Sequence, residues 1–389
     1  MKEGWRYEKL DDLGTIVTGA TPSTNDESNY FPKEYCFVKP SDLPLNGVGS
    51  IHETENYVSS KGLSVSRPLP AGSVLTTCIG TIGKVGLLLQ EGCTNQQINA
   101  VIPNNKINSR YLAYALLSIR KQLEFIANAP VVPIINKKCF SKIHIGYPPK
   151  PTQLSIVSEL DKLNELIQIK KEQLKDYDTL AQSIFYEMFG DPVENEKGWK
   201  VKKLMEVCDV RDGTHDSPKY VESSNYMLIT SKNIVNRAIS FDDVNYITEE
   251  DYNNINKRSK VDNGDILMPM IGTIGNPVIV YLDNLHKFSI KNVALIKFLH
   301  NTSILNRYLL ELMISESFRR YLLSLNKGGN QKFVALGTIR RMDIILPPLP
   351  LQQSFAHKIE QIDRQKAAVQ RTIKDLETLL AARMQYWFD

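Results

Sequence analysis

No apolar run in these 389 residues approaches the ~18 needed to span a bilayer, and Met1-Lys-Glu-Gly-Trp5 offers no apolar signal region. A cytoplasmic protein without a membrane role is expected. Cysteine is scarce: five residues, at 36, 78, 93, 139 and 208, odd in number and never in a CxxC pair. That argues against both a disulfide framework and a zinc site. The six histidines form no HxxxH or Cys/His spacing. The chain also lacks a GxxxxGK[ST] phosphate loop, an HExxH helix and an aromatic-Gly-x-Gly segment for S-adenosylmethionine. Tyr147-Pro-Pro-Lys150 lacks the polar first and aromatic last residue of the amino-methyltransferase motif. A binding protein with no catalytic residue, metal or cofactor of its own is the expectation.

What is present is written twice. From Ile156, steps of four and three give Ile156, Leu160, Leu163, Ile167, Lys170, Leu174, Tyr177, Ala181, Ile184 and Met188, an unbroken heptad seam. From Phe355 the same count gives Ile359, Ile362, Lys366, Val369, Ile373, Leu376, Leu380, Arg383 and Trp387. Neither Thr152 to Phe189 nor Leu351 to Phe388 contains a proline, so two long helices are predicted. Each would run about 57 Å at ~1.5 Å per residue and needs a partner along its whole length. The other copy is the candidate, as an intramolecular antiparallel coiled coil with Ile156, Leu160, Leu163, Ile167, Leu174, Ile359, Ile362, Val369, Ile373 and Leu376 as pairing residues. Lys170, Lys366 and Arg383 would set register at some cost in stability.

Upstream echoes extend the repeat. Pro-Pro-x-Pro-x-Gln enters both helices, ending at Gln153 and Gln352; Gly4-Trp-Arg answers Gly198-Trp-Lys; Ile79-Gly-Thr-Ile-Gly83 answers Ile271-Gly-Thr-Ile-Gly275; Arg110-Tyr-Leu answers Arg307-Tyr-Leu. The offsets run only from 192 to 199, which marks a tandem duplication of a globular unit followed by a long helix. The predicted organisation is α/β (α+β): a first globular domain at 1–150, a central helix and linker at 151–197, a second domain at 198–350 and a last helix at 351–389. Short β-branched runs predict strands at Tyr35 to Val38, Gly72 to Ile79, Lys84 to Leu89 and Asn99 to Ile102, then a helix from Ser109 to Ile126 and a closing strand at Ile143 to Ile145. The second domain repeats this order, with a helix predicted from Ile304 to Leu325. Both Gly-Thr-Ile-Gly segments read as hairpin turns.

Charge is distributed by segment. Residues 1–150 carry 16 Lys+Arg against 12 Asp+Glu and residues 198–350 carry 20 against 16, whereas 151–197 has 5 against 10. Positive charge is concentrated in the globular parts, as expected if they touch a polyanion and the helices do not. Loops at equivalent places supply candidate nucleic-acid contacts: Lys39, Ser41 and Asp42 in the first domain, with Thr230, Ser231, Lys232 and Asn233 in the second. Asn136, Lys137 and Lys138 form a further group, answered by Lys327, Asn330, Gln331 and Lys332. Asn and Gln suit base edges and Lys suits phosphate.

The duplicated order of a Gly-Trp start, a GTIG turn, PPxPxQ and a long helix resembles the specificity subunit of type I restriction-modification enzymes. Asp212-Gly-Thr-His215 with Ser217-Pro-Lys219 resembles a phrase near the start of that family's target-recognition domains, which adds Thr214, His215 and Lys219 as candidates; Thr18-Gly-Ala-Thr-Pro-Ser23 resembles its common alternative. The resemblance implies two recognition domains held apart by antiparallel helices with approximate two-fold symmetry, each domain reading half of a bipartite duplex target. It implies two modification subunits, which methylate adenine N6 with S-adenosylmethionine, and restriction subunits using ATP and Mg. Lys150-Pro-Thr-Gln153 departs from the family's commoner Leu-x-x-Gln.

Overall fold

The structure is a computed structural model describing residues 4–127, 132–235, 237–272, 274–283, 285–299, 302–325 and 333–389. Its two long helices, Lys150–Phe189 and Leu349–Phe388, each have 40 residues. Both begin two residues before the expected Thr152 and Leu351. The reason is that Pro151 and Pro350 fit a first turn, whose N–H groups have no intrahelical acceptor. The carbonyls of Pro149 and Pro348 accept the first bonds, from Thr152 and Gln153 and from Leu351 and Gln352. Gly190, at φ 75°, ends the central helix, donating its N–H to Tyr186 O at 2.8 Å.

Contacts divide the chain through the middle of these helices rather than at their starts. One unit is Met1–Glu172 with Gln370–Asp389 and the other is Gln173–Val369. The expected boundaries at 150 and 350 therefore mark changes of secondary structure, and each packed unit includes about half of each long helix.

In the first unit a five-stranded sheet runs Gly14–Thr18, Ile98–Pro103, Val74–Thr77, Val85–Leu88, Val48–Ile51, antiparallel except for the last pair. A three-stranded sheet of Tyr57–Val58, Tyr35–Val38 and Gly92–Thr94 stands beside it, and Arg6–Lys9 pairs with His144–Tyr147. The core of Leu10, Val74, Val101, Tyr111, Leu112 and Phe140 extends to Ile156 and Leu160 of the central helix and to Leu380, Met384 and Trp387 of the terminal one. Glu159 pairs with Arg383 and accepts a 3.0 Å bond from Trp387 Nε1, while Lys171 meets Glu377 at 2.8 Å. Partners rise along one helix as they fall along the other, so the segments are antiparallel.

The second unit repeats the scheme with Cys208–Asp212, Val293–Phe298, Ile266–Pro269 and Val278–Ile279 in one sheet. Tyr220–Val221, Asn245–Ile247, Tyr226–Ile229 and Lys287–Ile290 form the other, and Lys200–Lys203 pairs with Asp343–Leu346. Here Ala181, Phe185 and Phe189 pack with Phe355, Ile359 and Ile362, and Lys366 Nζ meets Asp178 at 2.7 Å. The polar seam residues Lys366 and Arg383 are thus paired with carboxylates across the helices.

Of the expected pairing residues, Ile156, Leu160, Ile167, Ile359, Ile362, Val369 and Ile373 are buried, and Leu163, Leu174 and Leu376 are half-buried. The seam shifts near the end of the central helix: Phe185 and Phe189 are fully buried, while the expected Ile184 and Met188 are only partly so. An undistorted helix drifts against a seven-residue repeat, and the packed sheet domain covers the adjoining face.

The first Gly-Thr-Ile-Gly segment turns an antiparallel hairpin; the second stands between the antiparallel strands Ile266–Pro269 and Val278–Ile279, with Thr273 outside the described residues. Gly83 has φ +76°, and a Cβ there would come within 2.7 Å of Arg120 Cγ. The helices predicted from Ser109 and Ile304 are each broken in two, as Ser109–Ser118 with Arg120–Ile126 and Asn306–Ile314 with Glu316–Ser324. Ser315, with ψ 147°, makes the second break.

Each junction between globular part and long helix is closed by one buried amide. Gln153 Oε1 accepts from Asn108 N at 2.8 Å, and its Nε2 donates to Pro148 O at 2.9 Å and Lys106 O at 3.1 Å. Gln352 does the same with Leu305 N, Pro347 O and Ser303 O, each at 2.9 Å. Tyr111 and Tyr308 then donate to the closing strands, at Gly146 O and Ile345 O.

Phe355 is fully buried among Phe185, Phe189 and, through them, Tyr308. Phe355→Ala should cost about 3–5 kcal/mol in urea unfolding of the second unit. A loss below ~1 kcal/mol would mean that this aromatic cluster does not hold the helix pair.

Candidate nucleic-acid interface

Within each unit, the candidate loops follow the same strand. Tyr35–Val38 leads into a one-turn helix at Pro40–Asp42, and Tyr226–Ile229 leads into one at Ser231–Asn233. Both turns are closed by a side chain returning to the backbone three residues earlier: Asp42 Oδ2 accepts from Lys39 N at 2.7 Å, and Asn233 Oδ1 from Thr230 N at 3.0 Å. Asp42 also accepts from Glu55 N at 3.1 Å.

This geometry corrects two expectations. Asn233 is 3% exposed; its oxygen also takes the Thr230 hydroxyl and its nitrogen donates to Asp243 O, so the amide is consumed inside the loop rather than offered to a base. Asp42 likewise shapes its turn. The Ser231 hydroxyl is enclosed without a partner. Ser41 and Lys232 are exposed; Lys232 Nζ meets Asp243 at 3.1 Å, and Lys39 Nζ donates to Asn56 Oδ1 at 3.0 Å. Both are surface pairs, weak enough to exchange for a phosphate.

A second group lies against the first GTIG turn. Gly80 N donates to Pro133 O, Ile135 N donates to Cys78 O, and Ile79 bridges Ile134. Asn136 then caps Lys137–Ser141, accepting from Cys139 N at 2.9 Å, which leaves Lys137 and Lys138 exposed. In the second unit Val334 N donates to Met270 O, and Ile271 bridges Phe333 beside the second turn. Lys327, Asn330, Gln331 and Lys332 lie outside the described residues.

The third group is the Asp-Gly-Thr-His segment. Gly213 N donates to Val293 O and Thr214 N to Ile290 O; in the first unit Gly19 N donates to Ile98 O and Ala20 N to Thr94 O. The Thr-Gly-Ala-Thr and Asp-Gly-Thr-His segments therefore leave equivalent strands in the same way. Both glycines are enforced sterically: a Cβ would fall 2.1 Å from Ile290 O or from Asn95 O. Asp212, 4% exposed, has one oxygen 2.7 Å from His215 Nε2 and the other against the Arg258 guanidinium. His215 Nδ1 lies 3.2 Å from Asn292 Oδ1.

Both ring neighbours are oxygen acceptors, so the doubly protonated imidazolium satisfies both. The Asp212 bond, reinforced by Asn292, raises the His215 pKa above its ordinary value. Beside this group a cavity of about 270 Å³ is lined by Thr214, Asp216, Asp251, Asn254 and Arg258. Thr214 Oγ1 is taken by Asp216 N, and Lys219 is exposed. Sequence reasoning missed Arg258 and Asn292. Arg258 ends a polar helix, Glu249–Ser259, that has no apolar stripe to announce it.

Among the described residues, no group of three or more His, Cys, Asp or Glu is placed to hold a metal, and no helix is long and apolar enough to cross a membrane. The cysteines are unpaired; burial pushes the thiols of Cys78 and Cys208 up to about 12 and that of Cys93 to about 11.

Residues 2–176 and 196–378 each match the family of the type I restriction modification DNA specificity domain. The chain belongs to that family and carries its domain twice. It is 25% identical over 382 residues to the type I restriction enzyme MjaIX specificity subunit of Methanocaldococcus jannaschii, covering 92% of this chain and 86% of that one. Identity to the HindI specificity subunit of Haemophilus influenzae is 28% over 206 residues, 52% of this chain and 40% of the relative. Among solved structures, a chain from work on assembly and conformational transition of the type I R-M system has a TM-score of 0.62 at 18% identity, covering 100% and 98%. The S subunit from M. genitalium gives 0.52 at 12%, covering 99% and 96%. The protein is a DNA specificity protein of type I restriction-modification, a targeting rather than a catalytic member of such systems.

The His215–Asp212 pair makes its own prediction. A raised folded-state pKa means that its stabilisation is fully present below the ordinary ~6.5 and fades as pH rises through the raised value. In an NMR titration His215 should titrate above ~6.5, and Asp212→Asn should bring it back down. Titration at or below the ordinary value in the unmodified protein would show that the pair does not form in solution.

Proposed function

We propose that each unit of this chain reads one half of a bipartite duplex DNA target and that the long helices set the spacer between the halves. In this reading the helices also dock two modification subunits. Those subunits methylate adenine N6 with S-adenosylmethionine, and restriction subunits that join them use ATP and Mg; this chain binds none of these cofactors.

One observation carries the reading: an equivalent backbone frame is lettered differently in the two units. Lys39-Pro-Ser-Asp42 occupies the turn that Thr230-Ser-Lys-Asn233 occupies, and Thr18-Gly-Ala-Thr21 leaves the strand that Asp212-Gly-Thr-His215 leaves. A shared frame with divergent side chains suits two different half-sites. Direct readout depends on which groups face base edges, whereas phosphate contacts carry no sequence information directly. The adenines must leave the stack to be methylated, which falls to the modification subunits while this chain holds register.

Exposed Lys137 and Lys138 fit the phosphate role, and Asn330 and Gln331 remain the candidates for adenine edges. Replacing residues 198–350 by those of a relative with another specificity should change one half of the methylated motif and preserve the other and the spacer. A change in both halves would contradict the modular reading. Within the first unit, Lys137→Ala with Lys138→Ala should weaken cognate and non-cognate binding alike. The salt slope should fall by about two, close to one for each phosphate that is no longer neutralised. An unchanged slope would take these lysines off the DNA.

A further inference from the structure

We propose that Gln153 and Gln352 are positioning residues that fix the spacer length the complex accepts. The proposal rests on the two-half-site reading above and adds which atoms make the ruler stiff.

Each glutamine is 0% exposed and spends its whole amide on two separate pieces of its unit. Gln153 holds Pro148 O at the exit of the closing strand, and Lys106 O and Asn108 N at the start of the Ser109–Ser118 helix. Gln352 holds Pro347 O, Ser303 O and Leu305 N in the same pattern. The bonds therefore fix the direction in which each long helix leaves the sheet domain, beyond merely satisfying a helix end.

A second attachment lies farther along each helix. Arg110 Nε donates to Asp161 Oδ1 at 2.8 Å, and the Tyr114 hydroxyl donates to the same oxygen. In the other unit Arg307 meets Asp363 at 2.7 Å. Asp161 is eight residues past Gln153 and Asp363 eleven past Gln352, so the two anchors stand about 12 and 16 Å apart along the axis. One anchor permits a hinge, and two define a direction.

Direction matters because of leverage. Roughly 20 residues of each helix belong to each unit, a lever of ~30 Å. A tilt of about 6° at its base moves the far end by about 3 Å, close to the ~3.4 Å rise of one nucleotide step. Losing the amide bonds would thus blur spacing by about one base pair while leaving the loops that face DNA intact.

The test uses the full chain in complex with its modification subunits. Methylation is measured on duplexes carrying both cognate half-sites with the spacer at its natural length and one or two base pairs longer or shorter. A second set carries single half-site mismatches. Gln153→Met keeps volume and removes all three bonds. It should reduce the preference for the natural spacer over its one-base-pair neighbours by about tenfold, with mismatch penalties unchanged.

Arg110→Gln, at a partly exposed position, should give a smaller shift in the same direction and reports even where Gln153→Met folds poorly. Leu75→Ala, in a core away from the junction, should lower methylation on all spacers equally, which is the signature of lost stability alone. A wild-type spacer profile in both Gln153→Met and Arg110→Gln, at whatever total activity, overturns the proposal. A wild-type complex indifferent to spacer length would overturn the two-half-site reading, and this proposal with it.

Discussion

A helix of 40 residues with one apolar seam cannot be stable in water unless something covers that seam from end to end. Much in the structure answers to this requirement. The chain supplies a second helix of the same length, and the antiparallel pairing seen in each unit closes both seams without a second chain. Because the pairing is antiparallel, the start of the central helix packs with the end of the terminal one, around Ile156, Leu160 and Met384. The start of the terminal helix packs with the end of the central one, around Phe185 and Phe355. Each sheet domain thereby gains a helical floor built from both halves of the sequence, and this is why the packed units divide the helices in their middles.

The same requirement explains the polar residues in the seams. Lys366 with Asp178 and Arg383 with Glu159 are partly exposed pairs that contribute little net stability. Shifting either pair by a heptad would leave a charge facing apolar neighbours. They select one register, which apolar side chains alone would do weakly.

Much of this was legible in the sequence because the repeat imposes punctuation. PPxPxQ, GTIG and Arg-Tyr-Leu each mark a place where backbone must turn, approach closely or accept a buried bond; PPxPxQ and Arg-Tyr-Leu form the helix junctions, and the first GTIG segment is a hairpin turn. The strands at Arg6–Lys9, Gly14–Thr18 and Cys208–Asp212 were not legible. They are short, mix polar with apolar residues, and owe their pairing to partners about 80 to 140 residues away. The broken helices were also missed, since Ile119 and Ser315 interrupt the backbone without interrupting apolar periodicity. At the candidate interface, residue type identified the loops but not the direction of each side chain. Asn233 is as suitable for adenine as any asparagine, yet its place three residues after Thr230 makes it a cap. Arg258 reaches Asp212 across 46 positions, and no local pattern announces such a pairing.

Chemical cross-linking tests most directly whether this chain pairs its own helices. In a Cys139→Ser background, which removes the one exposed thiol among the described residues, Glu159→Cys with Arg383→Cys reports on the first unit. Asp178→Cys with Lys366→Cys reports on the second. A short bismaleimide should join each pair within a single chain, giving a faster-migrating monomer whose yield does not depend on protein concentration. Chain-to-chain dimers whose yield rises with concentration, with no internal product from either pair, would contradict intramolecular pairing.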